Sequence, residues 1–146
     1  MKKQPISLCG ELTDNGHLLT QRVYYEDTDF SGLVYHARYL HFLERGRTDY
    51  LRCLGVNQSA LLGVDAEGLA FVVHRMEIDF KASAHMDDIL DIRTVTIKAG
   101  GAKMVLEQEI RRTGDLLIAA KVVIATINRS GRPRRLPEGL AARFLT

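Results

Sequence analysis

A single change of hydrophobic period near residue 55 restricts this chain more than any other feature. Before it, Leu40, Leu43, Arg47, Leu51 and Leu54 recur at spacings of three and four, and Phe42 and Tyr50 widen the stripe. That spacing predicts one helix over residues 37–54, with Gly55 as its C-terminal cap. Gly46 inside it costs about 1 kcal/mol relative to alanine, which implies close packing against another backbone. After residue 55 the period is two. In residues 71–80, Met76, Ile78 and Phe80 alternate with Arg75, Glu77 and Asp79, so one face of a strand meets the core. Residues 89–98 read as a second strand whose alternation slips near Thr94, as at a bulge. Residues 103–111 are a third, and Thr113, Gly114 and Asp115 make a turn. Residues 116–127 are a fourth, so apolar that a central place in the sheet is expected.

The remaining segments are shorter. Residues 20–25 are β-branched and aromatic enough for a further strand, and residues 1–19 read as an irregular lead-in. Residues 58–63 suggest a short helix or turn, and residues 137–144 a closing helix with Pro137 near its first turn. Short turns between strands imply antiparallel pairing. The expectation is a single α+β domain over 1–146, with its core over about 20–137, in which one long helix packs on about five antiparallel strands. One helix cannot cover that much sheet, so a dimer or larger assembly is expected.

The net charge is only +2, so no global field favours nucleic acid or an anionic membrane. No apolar run approaches the ~20 residues of a membrane span, and the basic N-terminus continues into no signal-peptide pattern. Cys9 and Cys53 have no motif spacing, which argues against a cysteine-rich zinc site and a disulfide scaffold. One disulfide between them stays open, but the expectation is two reduced thiols in a cytoplasmic protein. No G-x-G-x-x-G or G-x-x-x-x-G-K-[ST] loop occurs, and no cofactor is implied.

The chemistry concentrates between residues 24 and 44. Glu26, Asp27, Asp29, His36, His41 and Glu44 crowd an acidic loop and the helix that follows it. The N–H groups at a helix start lack intrahelical partners, and with the helix dipole they favour a developing negative charge. Acyl transfer needs such a place, because its intermediate is an oxyanion. A carboxylate just before the helix can attack a carbonyl or activate water, and Gly32 lets a substrate approach the backbone. Asp27 suits a structural role as acceptor for turn N–H groups. His36 and His41 are five residues apart, off the i, i+4 spacing of helical metal ligands, so no metal site is expected.

These residues also carry a resemblance. Tyr24-Tyr25-Glu26-Asp27-Thr28-Asp29, Gly32-Leu33-Val34-Tyr35-His36-Ala37-Arg38-Tyr39-Leu40 and Phe42-Leu43-Glu44-Arg45-Gly46-Arg47-Thr48 resemble the signature of the YbgC family. These are hot-dog-fold acyl-CoA thioesterases related to 4-hydroxybenzoyl-CoA thioesterase, with a Tol-Pal-associated branch that this chain most resembles. Phe71 to Met76 and Asp87 to Ile92 also fit. The resemblance implies hydrolysis of acyl-CoA, of short-chain or small acyl groups, by Asp29 as nucleophile or as general base. It implies that the backbone N–H of His36 polarises the thioester carbonyl, and that Tyr25 lines the pocket. Phe30 and Ser31 stand where relatives carry small residues, which puts Phe30 at the acyl pocket; Gly32 and Tyr35 complete its lining. Gly46 stands where alanine is usual. It also implies an active site at a dimer interface, in a dimer or a tetramer built as a dimer of dimers.

Glu44 is the competing acid, since another hot-dog branch uses a glutamate on the main helix; beside Arg45 and Arg47, an ion-pairing or pocket-positioning role fits it better. Arg75 and the basic cluster containing Arg132 and Arg134 are candidates for coenzyme A phosphates, because arginine binds phosphate by paired hydrogen bonds. The same cluster suits an acidic acyl carrier protein. The alternative function is therefore an interaction protein that holds acyl carrier protein or phospholipid-synthesis enzymes with little hydrolysis. A hot-dog dehydratase lacks its hydration motif here.

Overall fold

The computed structural model describes residues 8–61, 63 and 65–144; the first seven residues of the expected lead-in lie outside this range. Six strands form one sheet: β1 (Glu11–Thr13), β2 (Gly16–Arg22), β3 (Ala70–Phe80), β4 (Ile89–Gly100), β5 (Lys103–Arg112) and β6 (Asp115–Ile127). The helices are α1 (Arg38–Cys53), α2 (Gln58–Leu61) and α3 (Glu138–Phe144). The order across the sheet is β1-β2-β4-β5-β6-β3, and every pairing is antiparallel.

The lead-in expectation is corrected. Residues from Glu11 onward are ordered strand, and β2 starts at Gly16 and ends at Arg22, in place of the strand expected over 20–25. His17 explains the miss. It occupies an inward strand position that reads as polar, yet it is buried, with its Nε2 2.6 Å from Asp49 Oδ2 of α1. Asp27 ends the run differently. Its carboxylate accepts the Tyr24 N–H and folds Tyr25–Asp27 into a 3-10 turn instead of strand.

Thr94 does not mark a bulge. It stays in phase with Leu90 and Ile92, fully buried, and its Oγ1 accepts a bond from Gln108 Nε2 at 2.9 Å. The register shift falls between Thr96 and Lys98. In β3, Met76 and Ile78 pack on the core as expected, but Phe80 is half out in solvent. β6 lies between β5 and β3, interior to the sheet as its apolar run implied.

α1 is shorter than its sequence stripe and is not enclosed. It lies on one face of an open sheet, with Leu40, His41, Glu44, Arg45 and Arg52 exposed on its far side. Gly46 makes the close approach, but to side chains instead of backbone: a Cβ there would sit 2.7 Å from Ile92 Cγ2. Two apolar clusters fill the space beneath. Tyr39, Phe42 and Leu43 join Leu90, Ile92, Ile110 and Ile118 in one. Tyr50 and Leu51 join Leu106, Val122, Leu136 and Phe144 in the other. Between Leu106 and Ile110 along β5, buried Gln108 donates to the Leu43 carbonyl and accepts from Arg47 Nη1 at 3.0 Å. Burial pushes the Arg47 guanidinium below its usual pKa, opposed by nearby Glu44.

β3 is an edge strand of 11 residues, with Val72 and Val73 exposed. A long edge strand of this kind is a template for pairing with another strand.

Candidate active site

The segment between β2 and α1 is fastened from both ends. Val23 is buried and exchanges backbone bonds with Asp87 and Asp88 of the β3–β4 connection. Asp27, 2% exposed, then uses both carboxylate oxygens. Oδ2 accepts the Tyr24 N–H at 2.8 Å, and Oδ1 pairs with Arg38 Nε at 3.2 Å on the first turn of α1. Arg38 also donates to the Glu26 carbonyl. A cation at a helix start opposes the macrodipole, so an arginine there signals in the sequence that an acid lies close by to hold it. Asp27 thus has the structural role expected of it.

Residues 28–34 form a tight hairpin. Thr28 bridges Val34, the Asp29 N–H donates to the Leu33 carbonyl at 2.9 Å, and Gly32 closes the turn at φ +82°, a left-handed conformation that favours glycine. The Asp29 side chain is exposed. Its Oδ1 accepts the Ser31 N–H at 2.8 Å and also the Ser31 hydroxyl. The hydroxyl bond first, then the backbone bond, holds the Asp29 carboxyl below its ordinary pKa. Asp29 is therefore a carboxylate at neutral pH. A serine two residues after an aspartate is an Asx-turn pattern, so this partnership was available to sequence reasoning.

Beyond the hairpin the chain reaches α1 through Tyr35, His36 and Ala37. The Tyr35 N–H donates to the Asp27 carbonyl, whereas those of His36 and Ala37 find no acceptor among the described residues. Ala37 is the N-cap and no side chain caps the helix. A 16-residue helix thus presents its positive end bare. The His36 ring is exposed and lies 4.6 Å from Tyr35 and 6.4 Å from Phe80, centroid to centroid.

Tyr25, Thr28, Asp29, Phe30, Gly32 and Met86 line one open cleft of ≈ 580 Å³. Tyr25 and Phe30 stand almost wholly in solvent and Met86 is about half exposed, whereas Tyr35 and His36, also exposed, are not among the residues that line this cleft. Such a grouping of bare apolar side chains makes this cleft a candidate binding surface. Met86 was not foreseen. It arrives from the β3–β4 connection, brought alongside by the Leu33–His85 bridge and by the Val34 N–H bonded to Ala84.

The other expected site residues lie elsewhere. Glu44 lines a separate groove of ≈ 410 Å³ along α1 with His41, Arg45 and Asp49. Arg75 is on the exposed sheet face, paired with Glu77 at 3.0 Å. Arg132 is exposed in the turn after β6, where its N–H bonds Asn128. Arg134 is engaged within the chain: it pairs with Asp65 at 2.7 Å, reaches Glu67 and donates to the Gly68 carbonyl. A phosphate at Arg134 would have to displace two carboxylates.

An antiparallel sheet with a helix packed on one face is the architecture of a known class: the chain belongs to the thioesterase superfamily, whose family model matches residues 31–119. It has the hot-dog fold of that family and is an enzyme of the thioester-hydrolase type. It is 42% identical over 134 residues to acyl-CoA thioesterase YbgC of Haemophilus influenzae, covering 91% of this chain and 97% of that protein. The crystal structure of a probable thioesterase from Bartonella henselae superposes with a TM-score of 0.80 at 50% identity, covering 84% of this chain and 99% of that one. A 4-hydroxybenzoyl-CoA thioesterase structure shares the fold, with a TM-score of 0.81 at 18% identity, over 88% of this chain and 98% of that one.

Proposed function

We propose that the chain hydrolyses acyl-CoA thioesters of short or small acyl groups, with Asp29 as the acid that attacks the carbonyl or activates water. The N–H of His36 receives the oxyanion. The observation that carries this reading is the bare start of α1, with unpartnered N–H groups at His36 and Ala37, joined by a short fastened loop to an ionised Asp29. Negative charge developing on the carbonyl oxygen is stabilised by such donors in the transition state more than in the ground state. Tyr25, Phe30 and Met86 supply the apolar wall for the acyl group.

The site is open on the side of Phe30 and Tyr25, and a second copy of the chain closes it. The free β3 edge supports this: two copies joined there by antiparallel strand addition bury Val72 and Val73 and continue the sheet. Pairs of such dimers make the tetramer.

Asp29→Asn tests the assignment. The expected result is an unchanged circular dichroism spectrum and melting temperature with turnover of short acyl-CoA reduced by about 10³-fold or more. Wild-type kcat in that variant removes Asp29 from the mechanism. Running the same panel with acyl carrier protein thioesters decides the carrier.

A further inference from the structure

Cys9 and Cys53 have nothing in common in sequence, yet the fold brings them together with Asp49. The two sulfurs and a carboxylate oxygen all lie within 4.8 Å of one another. Asp49 and Cys53 are i, i+4 on α1, the spacing that puts two ligands on one helix face. Cys9 comes from the segment before β1, and Gly10 lets it come close: a Cβ at Gly10 would fall 2.2 Å from the Leu18 carbonyl oxygen.

We propose that Cys9, Asp49 and Cys53 form a binding site for a single zinc ion that clasps the segment before β1 to the C-terminal half of α1. Two sulfur ligands and one carboxylate suit a tetrahedral d¹⁰ ion, with water in the fourth position. Zn–S bonds of about 2.3 Å set the two sulfurs about 3.8 Å apart, so side-chain shifts of about 1 Å close the site. The carboxylate is already held in place by protein partners. Asp49 Oδ2, 3.8 Å from Cys53 Sγ, is 2.6 Å from His17 Nε2 and accepts the Gly10 N–H at 2.7 Å, and no hydrogen bond among the described residues uses Oδ1. Partners of this kind fix a metal-binding carboxylate.

The site is distinct from the proposed thioesterase centre. Asp49 is 11 residues beyond Arg38, about 16 Å along the helix at 1.5 Å per residue. The ion holds structure and takes no part in the acyl chemistry. Binding releases the thiol protons to solvent. Protons compete with the metal for the thiolates, so affinity rises with pH.

The test is titration of the chelator-treated, thiol-reduced protein with Zn²⁺ against a chromophoric competitor, and with Co²⁺ for the spectrum. The expected results are one equivalent per chain, a sulfur-to-cobalt charge-transfer band, and a melting temperature raised by Zn²⁺. Cys9→Ser, at an exposed position that leaves the core intact, is expected to weaken binding by at least about 100-fold, and Cys53→Ser likewise. No stoichiometric binding by the reduced wild type overturns the proposal. So does a cobalt spectrum without the sulfur band, or affinity unchanged in Cys9→Ser. A chain that binds no metal but readily forms a Cys9–Cys53 disulfide overturns it too, and makes the pair a redox couple. Acyl-CoA turnover without zinc is unaffected by Cys9→Ser, so failure here is separable from failure of the thioesterase assignment.

Discussion

Replacing Gln108 with leucine isolates the effect of a charge held in the core. Gln108 makes three bonds: it accepts from Arg47 Nη1 at 3.0 Å and donates to the Leu43 carbonyl and Thr94 Oγ1, each at 2.9 Å. Leucine keeps the volume and loses all three. The two neutral bonds are worth about 1 kcal/mol each. The larger effect is the guanidinium, 9% exposed and left without its acceptor; stranding a buried charge costs about 3–5 kcal/mol. Leucine burial offsets about 1–2 kcal/mol. The expected net loss is about 3–6 kcal/mol, which lowers the melting temperature by roughly 10–20 °C in a domain of this size. Chemical denaturation at fixed protein concentration measures it. Arg47→Met added to Gln108→Leu removes the stranded charge and is expected to restore about 2 kcal/mol or more. A single-variant loss below about 1 kcal/mol, or a double variant no more stable than the single, refutes the account of Arg47 as a charge held by Gln108.

Three further outcomes are expected. Ser31→Ala removes the hydroxyl that most lowers the Asp29 pKa. Activity that needs ionised Asp29 is lost as pH falls through that pKa, so the acid limb of the kcat/KM profile moves to higher pH; an unmoved limb means another group titrates there. Asp27→Asn keeps an acceptor for the Tyr24 N–H but drops the ion pair to Arg38, for a loss of about 1–3 kcal/mol by thermal melting and a fall in kcat. Gly16→Ala puts a Cβ 1.9 Å from the Thr94 carbonyl oxygen and disrupts β2–β4 pairing, whereas Gly46→Ala meets one methyl at 2.7 Å and gains helix propensity. The first is expected to cost more than about 3 kcal/mol and the second about 1 kcal/mol, read from urea midpoints.

Segments whose burial follows apolar periodicity were legible from the sequence: α1, β3, β5, β6 and the closing helix α3. Two of the misses share one cause, polar residues facing inward. His17 hid β2 because its partner Asp49 is 32 residues away, and Thr94 imitated a bulge because Gln108, 14 residues on, satisfies it. The phase of Phe80 assigns it to the core, but it stands half exposed, its ring beside those of His36 and Tyr39. Asp29, Gly32 and His36, the residues of the proposed site, share one continuous segment. Met86 could not be foreseen from that segment, since only sheet topology brings it there. Nor could sequence show that Arg134 is engaged by Asp65, a pairing across 69 residues.

The two-handed grip of Asp27 decides when the loop around Asp29 loses its freedom. Fixing a backbone residue costs about 1–2 kcal/mol of conformational entropy, and a floppy recognition loop meets that cost each time ligand binds. Here Tyr24, Arg38 and the 28–34 hairpin are tied down in the free chain. The ordering is charged once, to folding, so a weakly held substrate meets a surface with little left to arrange. A ligand can then be held weakly and released readily without any loss of aim.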